Sequence, residues 1–311
     1  MGKLSVKDLV SINDLTEQDI QKIFEKSEEL KEKLKRREEH RELEGKTLAM
    51  VFEKRSTRTR ISFEVGMTQL GGHAIFLSRE DTHIGKGEPI KDFAGVVSGY
   101  CDGIMARTFE HSTVTELSHY TDIPVINGLT NFNHPCQILA DFLTIKEHRG
   151  HFDDMKVAWC GDGNNVCHSF IYMCAKLNVD LAIATPEEYK PSWVVWNDIK
   201  KYKKSDIFWT PNAQEAVDNA DVVVTDTWIS MGDPEYQNEK LRKEKIAKFN
   251  PYQVNAELVR HAKKEYYFMH CLPAYRDFEV TSEVIDGPRS LIYPEAHNRL
   301  HAQKGLIALI M

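Results

Sequence analysis

The string Phe52-Glu53-Lys54-Arg55-Ser56-Thr57-Arg58-Thr59-Arg60 gathers hydroxyls and guanidinium groups at the point where an apolar run, Thr47 to Phe52, gives way to a helical pattern at Ile61, Val65, Thr68 and Gln69. It reads as strand, tight loop, helix. Ser56 and Thr57 are N-cap types, so the loop presents backbone N–H groups and the positive end of a helix dipole, with Arg58 beside them; such a site suits a phosphate. Other polar residues fall at similar places. Arg107 closes an apolar run, His134-Pro135-Cys136-Gln137 opens a helix, and Asn164-Asn165, Asp226 and His270-Cys271 each follow a strand-like segment. In an open α/β sheet ligands sit beyond the carboxyl ends of the strands. Because these residues come from both halves of the chain, the site is expected between two domains.

The elements that must hold them alternate. In the first half, strands are predicted at 47–52, 73–78, 103–106 and 124–126, with helices from Thr16 to Glu42, to Leu70, from Pro89 to Tyr100, over 113–120 and from Pro135. The second half repeats the rhythm, with strands at 156–160, 180–184, 206–209, 221–225 and 266–269 and helices at 165–177, 192–203, 213–219 and 237–248. The fold class is therefore α/β, two doubly wound parallel-sheet domains. Residues 1–150 form the first and 151–293 the second, with the boundary within Arg149 to Asp154; a closing helix, about 294–311, is expected to pack back on the first. His83-Ile84-Gly85-Lys86-Gly87 lacks the spacing of a Walker motif, and Val166 stands where a dinucleotide fingerprint needs its third glycine. Both nucleotide readings are set aside.

Composition narrows the partners. The chain has 311 residues, 41% hydrophobic and 28% charged, with a net charge of −7, which fits a soluble protein of about two domains and argues against a protein-wide nucleic-acid surface. A small anion at a local basic pocket is the expected partner. The first ten residues lack the apolar stretch of a signal peptide, and no run of ~18 apolar residues occurs, so no membrane contact and a cytoplasmic location are expected. The six cysteines never form Cys-x-x-Cys, so neither disulfides nor zinc are expected.

Four strings, in order, resemble the aspartate/ornithine carbamoyltransferase family: Ser56-Thr57-Arg58-Thr59, His134-Pro135-Cys136-Gln137, Asp226-Thr227-Trp228-Ile229-Ser230-Met231-Gly232 and His270-Cys271-Leu272-Pro273. The last two are of the ornithine type and separate the chain from the aspartate branch. The resemblance covers nearly the whole sequence. It implies transfer of a carbamoyl group from carbamoyl phosphate to the δ-amine of ornithine, in arginine biosynthesis or, in reverse, arginine catabolism. Carbamoyl phosphate would be held by Ser56, Thr57, Arg58, Thr59, Arg107, His134, Gln137, Cys271, Leu272 and Arg299, together with His83 reaching in from an adjacent subunit. Arg107 and His134 would bond the carbonyl oxygen, and Gln137 and the Leu272 backbone the carbamoyl nitrogen. Asn165, Asp226, Ser230 and Met231 would hold the α-amino and α-carboxylate groups of ornithine, with Cys271 beside Asp226 in binding and proton handling. The resemblance further implies no cofactor, no metal, small-molecule substrates and a homotrimer or an assembly of trimers. One departure stands out: His297 occupies the place of the acid in the family's Glu-Asn-Arg. A non-catalytic paralogue would not need Arg58, His134, Asp226 and Cys271 together.

Overall fold

A computed structural model describes residues 3–82, 84, 87–202 and 204–311; His83 lies outside the described residues. In it the chain divides into two units, one of Met1–Leu143 with His297–Met311, the other Thr144–Ala296.

In unit 1 the apolar run becomes β1 (Thr47–Phe52), buried from Leu48 onward, as a central parallel strand covered on both faces must be. The remaining strands are β2 (His73–Ser78), β3 (Gly103–Arg107) and β4 (Val125–Leu129), in the order β2-β1-β3-β4, all parallel. β2 is an edge, and none of its residues is fully buried. The unit's helices are α1 (Glu17–Lys35), α2 (Thr57–Gln69), α3 (Ile90–Ser98), α4 (His111–Tyr120) and α5 (Pro135–Arg149), the last running on into unit 2. One face of the sheet buries Ala49, Val51, Ile104 and Ala106 against Phe93, Ala94 and Val97 of α3 and Val114 and Leu117 of α4.

Unit 2 repeats the winding with β5 (Lys156–Cys160), β6 (Asp180–Ala184), β7 (Ile207–Thr210), β8 (Val222–Thr225) and β9 (Tyr267–His270), in the parallel order β7-β6-β5-β8-β9. Its helices are α6 (Asn165–Leu177), α7 (Trp193–Ile199), α8 (Ala213–Val217), α9 (Pro234–Gln237), α10 (Glu239–Phe249) and α11 (Ser282–Ile285). The closing helix α12 (Ile292–Ile310) contributes its residues from His297 onward to unit 1. There Gly305 lets it lie against α1, since a Cβ at that position would sit 2.2 Å from Ser27 Oγ and 2.8 Å from the Ile23 carbonyl. No helix among the described residues is long and apolar enough to cross a membrane.

Several boundaries differ from the sequence reading for local reasons. α1 stops at Lys35 because Arg37 turns the chain with a φ of 58°, after which Glu42 folds back to Lys26 at 2.7 Å. α7 ends at Ile199, capped by Lys200, rather than running to 203. The helix expected over 237–248 is α10, which starts at Glu239 because Asn238 leaves the helical region and its side chain caps Lys240 and Leu241 N–H; the short α9 lies just before it. β4 continues past Ile126 to Leu129, with a register irregularity opposite Ala106 and Arg107.

Candidate functional site

In each unit the chain winds outward in both directions from one pair of neighbouring strands, β1 and β3 in unit 1 and β5 and β8 in unit 2. These are the switch points where the loops at the carboxyl ends diverge and leave a crevice. The candidate residues collect at both.

At the first, Phe52 of β1 pairs in register with Arg107 of β3. Glu53 locks the two strand ends: its N–H donates to the Arg107 carbonyl and its carboxylate accepts the Phe109 N–H, both at 2.9 Å. α2 then begins at Thr57 with Ser56 as N-cap, the Ser56 hydroxyl accepting the Thr59 N–H at 3.2 Å. Thr59 is buried, Ser56 and Arg58 are half-buried and Thr57 is exposed, so the loop keeps a solvent-facing side with donors on it. Arg299, arriving on α12, is buried. It donates to Gln137 Oε1 at 2.6 Å, to Gln303 Oε1 at 2.9 and 3.1 Å, and to Thr59 Oγ1 at 3.4 Å. It thus ties the first turn of α2 to the first turn of α5, while the Gln137 amide is oriented from its other end by donating to Asp141 at 2.7 Å.

His134, at the mouth of α5, is buried, and its pKa lies well below the ordinary 6.5. Burial is the main cause, followed by the positive charges of Arg299, Arg107, Arg58 and Lys54. The imidazole is therefore neutral at pH 7 and sits in the field of four cations, a setting that favours a bound anion. Lys54 belongs to the same basic string. It is buried, bonded to Asn131 and placed over the Phe109 ring at 4.6 Å. The signal was its place in the same basic string, but a lysine between a strand and a loop gives no sign of burial. Cys136, one residue into α5, has its thiol pushed by burial up to about 12, which leaves it inert.

At the second switch point Gly161-Asp162-Gly163 carries the chain out of β5. Gly163 is required by a close approach: a Cβ there would lie 2.4 Å from the Tyr189 carbonyl and 2.5 Å from Pro191 N. Asn164 then caps α6, accepting the N–H groups of Val166 and Cys167 at 3.0 and 3.2 Å, and its amide donates to Asp226 Oδ2 at 2.9 Å across the switch point. Asn165, half-buried, accepts the Val166 N–H on its own side chain at 3.0 Å. Asp226, buried at the end of β8, receives the Thr227 N–H at 2.7 Å and the Cys271 thiol at 3.1 Å on its other oxygen. Asn164 thus proves to be the direct partner of Asp226. Its cap type was legible, its second bond was not.

The loop after β8 turns at Ser230 to Asp233, where the Ser230 N–H donates to Asp233 Oδ2 at 2.8 Å and the Asp233 N–H returns to the Ser230 carbonyl at 3.1 Å; Met231 at its tip is exposed. β9 ends at His270, fully buried. Its Nδ1 accepts the Leu272 N–H at 2.9 Å, so Nε2 carries the proton and faces Glu279 at 3.3 Å, while its backbone N–H meets Glu295 at 2.9 Å. This fixes Cys271 next to Asp226, and Leu272 leads into a cis peptide to Pro273. Ligand atoms of Asp226, His270 and Cys271 lie within 4.8 Å of one another. Each of the three already serves another of these bonds. None of the six cysteines is in a disulfide. His297 is on the exposed face of α12, whereas Asn298 and Arg299 are buried.

The structure thus gathers Ser56, Thr57, Arg58, Thr59, Arg107, His134, Gln137 and Arg299 in unit 1, and Asn165, Asp226, Ser230, Met231, Cys271 and Leu272 in unit 2. Comparison with known proteins follows the same division. Residues 7–147 match the carbamoyl-P binding domain of aspartate/ornithine carbamoyltransferase, and residues 153–310 match its Asp/Orn binding domain. The chain is 50% identical over 309 residues to the ornithine carbamoyltransferase of Carboxydothermus hydrogenoformans, covering 98% of this chain and 97% of the relative. It is 51% identical over 308 residues to that of Bacillus subtilis, covering 98% and 94%. Among solved structures, the ornithine carbamoyltransferase from Pyrococcus furiosus superposes with a TM-score of 0.93 at 46% identity, covering 100% of this chain and 99% of that one.

Proposed function

The chain belongs to the aspartate/ornithine carbamoyltransferase family, and we propose on that footing that it transfers the carbamoyl group of carbamoyl phosphate to the δ-amine of L-ornithine, giving L-citrulline and phosphate. The observation that carries the ornithine assignment is the Asp226–Cys271 pair at the ends of β8 and β9, followed by the Ser230–Asp233 turn. An aspartate acceptor would bring a second carboxylate, and the two groups that meet here are a carboxylate and a thiol.

In this reading unit 1 takes carbamoyl phosphate. Arg58, Ser56, Thr57 and Thr59 hold the phosphate, which is both anchor and leaving group, through charge-assisted bonds and helix-end N–H groups. Arg107 and neutral His134 bond the carbonyl oxygen and steady the negative charge that grows on it as the tetrahedral centre forms. Gln137, whose oxygen Arg299 holds in place, and the Leu272 backbone meet the carbamoyl nitrogen. His83 completes this pocket from the adjacent subunit.

Unit 2 takes ornithine through Asn165, Asp226, Ser230 and Met231. The δ-amine resembles lysine, pKa ~10.4, so its neutral form near pH 7 costs about 4.6 kcal/mol unless the site assists. Cys271, whose thiol donates to Asp226, is the group placed to relay that proton, taking the amine's as it gives its own to the carboxylate. The amine attacks the carbamoyl carbon directly, the carbon–oxygen bond breaks as the phosphate leaves with its electron pair, and the amine's surplus proton passes to Cys271 as the thiol gives its own to Asp226.

The working form is a homotrimer, or trimers assembled further, in the cytoplasm. Unit 1 supports self-association through exposed apolar side chains on consecutive elements: Ile61 and Val65 on α2, Ile75 on β2, Val96 on α3 and Tyr100 just after it. The test of the reaction is incubation with carbamoyl phosphate and ornithine, scored for citrulline, with putrescine in parallel. Putrescine has no carboxylate, so the polar groups meant for it stay unpaired, at a cost of roughly 1–3 kcal/mol. Ornithine is expected to give the higher kcat/KM; equal values would move the assignment to a diamine acceptor.

A further inference from the structure

We propose that Lys245 of α10 is a positioning residue for the acceptor: its ammonium clamps the turn that carries Ser230 and Met231 to the loop that carries Asn164 and Asn165. The inference rests on the assignment of ornithine to unit 2 given above.

Lys245 is an unusual lysine. It lies on a helix whose other lysines face solvent, yet its own side chain is only 4% exposed. The ammonium meets Asp162 Oδ2 at 2.7 Å and Asp233 Oδ2 at 3.3 Å, and it is flanked by the rings of Tyr189 and Phe249 at 5.0 and 5.8 Å. A buried cation shared by two carboxylates is a costly arrangement unless every member is satisfied, and here each carboxylate is the root of one acceptor-binding segment.

On one side, Asp233 Oδ2 also takes the Ser230 N–H at 2.8 Å, so the oxygen that meets Lys245 is the same oxygen that closes the turn. On the other side, Asp162 is followed by Gly163, whose N–H is held by the Tyr189 carbonyl at 3.0 Å, and then by Asn164, whose amide reaches Asp226 at 2.9 Å. Lys245 is thus two bonds from Ser230 in one direction and a short, pinned stretch of chain from Asn164 and Asn165 in the other. It belongs to neither loop.

The charge pattern explains why a cation is needed. Asp162, Asp226 and Asp233 crowd one corner of unit 2; burial first, and then the charges of Asp233 and Asp226, push the Asp162 carboxyl up to about 6 even with Lys245 beside it. Removing the ammonium leaves Asp162 and Asp233 to repel each other and frees the turn to swing away from Asn165. The carboxylate and ammonium of an amino acid would then meet only half of their partners at a time. Carbamoyl phosphate, assigned to unit 1, would not sense the change.

The experiment is steady-state kinetics on full-length Lys245→Met, Lys245→Arg and Asp233→Asn, with Asp226→Asn as the control on the acceptor assignment. The expected result for Lys245→Met is an ornithine KM raised at least tenfold with the carbamoyl-phosphate KM within twofold of the parent, and recovery of most of that loss in Lys245→Arg. Should Lys245→Met fail to fold, Asp233→Asn carries the same test, since it weakens the clamp while keeping the Lys245–Asp162 pair. Folded variants that melt earlier but keep the parental ornithine KM would overturn the inference and leave Lys245 a structural residue. If Asp226→Asn raises the ornithine KM while the clamp variants do not, the clamp alone fails; if Asp226→Asn leaves it unchanged, the acceptor assignment fails and the clamp falls with it.

Discussion

At His134, burial and four neighbouring positive charges act in one direction, and the outcome is an imidazole that stays neutral where most histidines are half-protonated. A neutral ring donates one hydrogen bond without adding a fifth positive charge to those already around it. Because the folded pKa lies below the unfolded 6.5, the contribution of His134 to stability is complete above pH 6.5. It is lost as the pH falls below that value and the unfolded chain takes up a proton the folded chain refuses, by up to about 1.4 kcal/mol per pH unit until the folded pKa is passed. An NMR titration, with the resonance identified by its loss in His134→Asn, should give a midpoint well below the ordinary 6.5; a midpoint at 6.5 or higher would contradict the buried, cation-ringed environment. Arg58→Ala should keep the fold and lose at least tenfold in kcat/KM for carbamoyl phosphate, because a bidentate guanidinium–phosphate contact in a water-poor site is worth roughly 2–4 kcal/mol at the transition state. Unchanged turnover would remove Arg58 from the phosphate's environment. The individual residues were the most legible part of the chain: apart from His83, the candidates fall at strand ends or helix starts, except Ser230 and Met231 in the turn after β8 and Arg299 on the closing helix. What the string of letters did not disclose was mutual contact. Nothing in the spacing of Asn164 and Asp226, or of Arg299 and Gln137, says that they touch.

At the scale of elements, the strands were read almost to the residue wherever they are central. β1 and β5 are continuous apolar runs because both faces are covered, and the helices after them start on strong caps, Ser56 and Asn164. Where boundaries moved, a single side chain or dihedral decided: Arg37 in αL for α1, and Asn238 as a cap inside an otherwise helical run. Such local devices are weak signals in a charged background, since Lys and Glu suit helix and turn alike. The tight place after β5 gives a prediction. Gly163→Ala drives a methyl into the Tyr189 carbonyl and Pro191 N, backbone atoms that cannot rotate away. It should therefore lower stability by roughly 1–3 kcal/mol and raise the ornithine KM through displacement of Asn164 and Asn165. A denaturant midpoint indistinguishable from the parent would show that the loop has room to relax.

For the whole molecule the decisive test concerns subunits. If His83 serves the pocket of a neighbour, Arg58→Ala and His83→Ala should each be severely impaired alone, and hybrids made by dissociating and reassociating the two should regain activity. Some interfaces then pair an intact Arg58 with an intact His83. No recovery, with hybrids demonstrated and both parents impaired, would place His83 outside the shared pocket.

The path of α12 has a consequence for how the protein is made. Unit 1 is not closed by its own first 143 residues; Arg299, which braces Thr59 and Gln137, and Gln303 and Lys304, which bond Ser62, His40 and Gln69, come from the stretch translated after all of unit 2. A ribosome that has finished the Ser56 loop still has more than half of the message to read before the brace emerges. A product of premature termination would carry the basic loop, the histidine and the first sheet, and still lack the guanidinium that orders them. Completion of synthesis is thus what supplies the brace between Thr59 and Gln137.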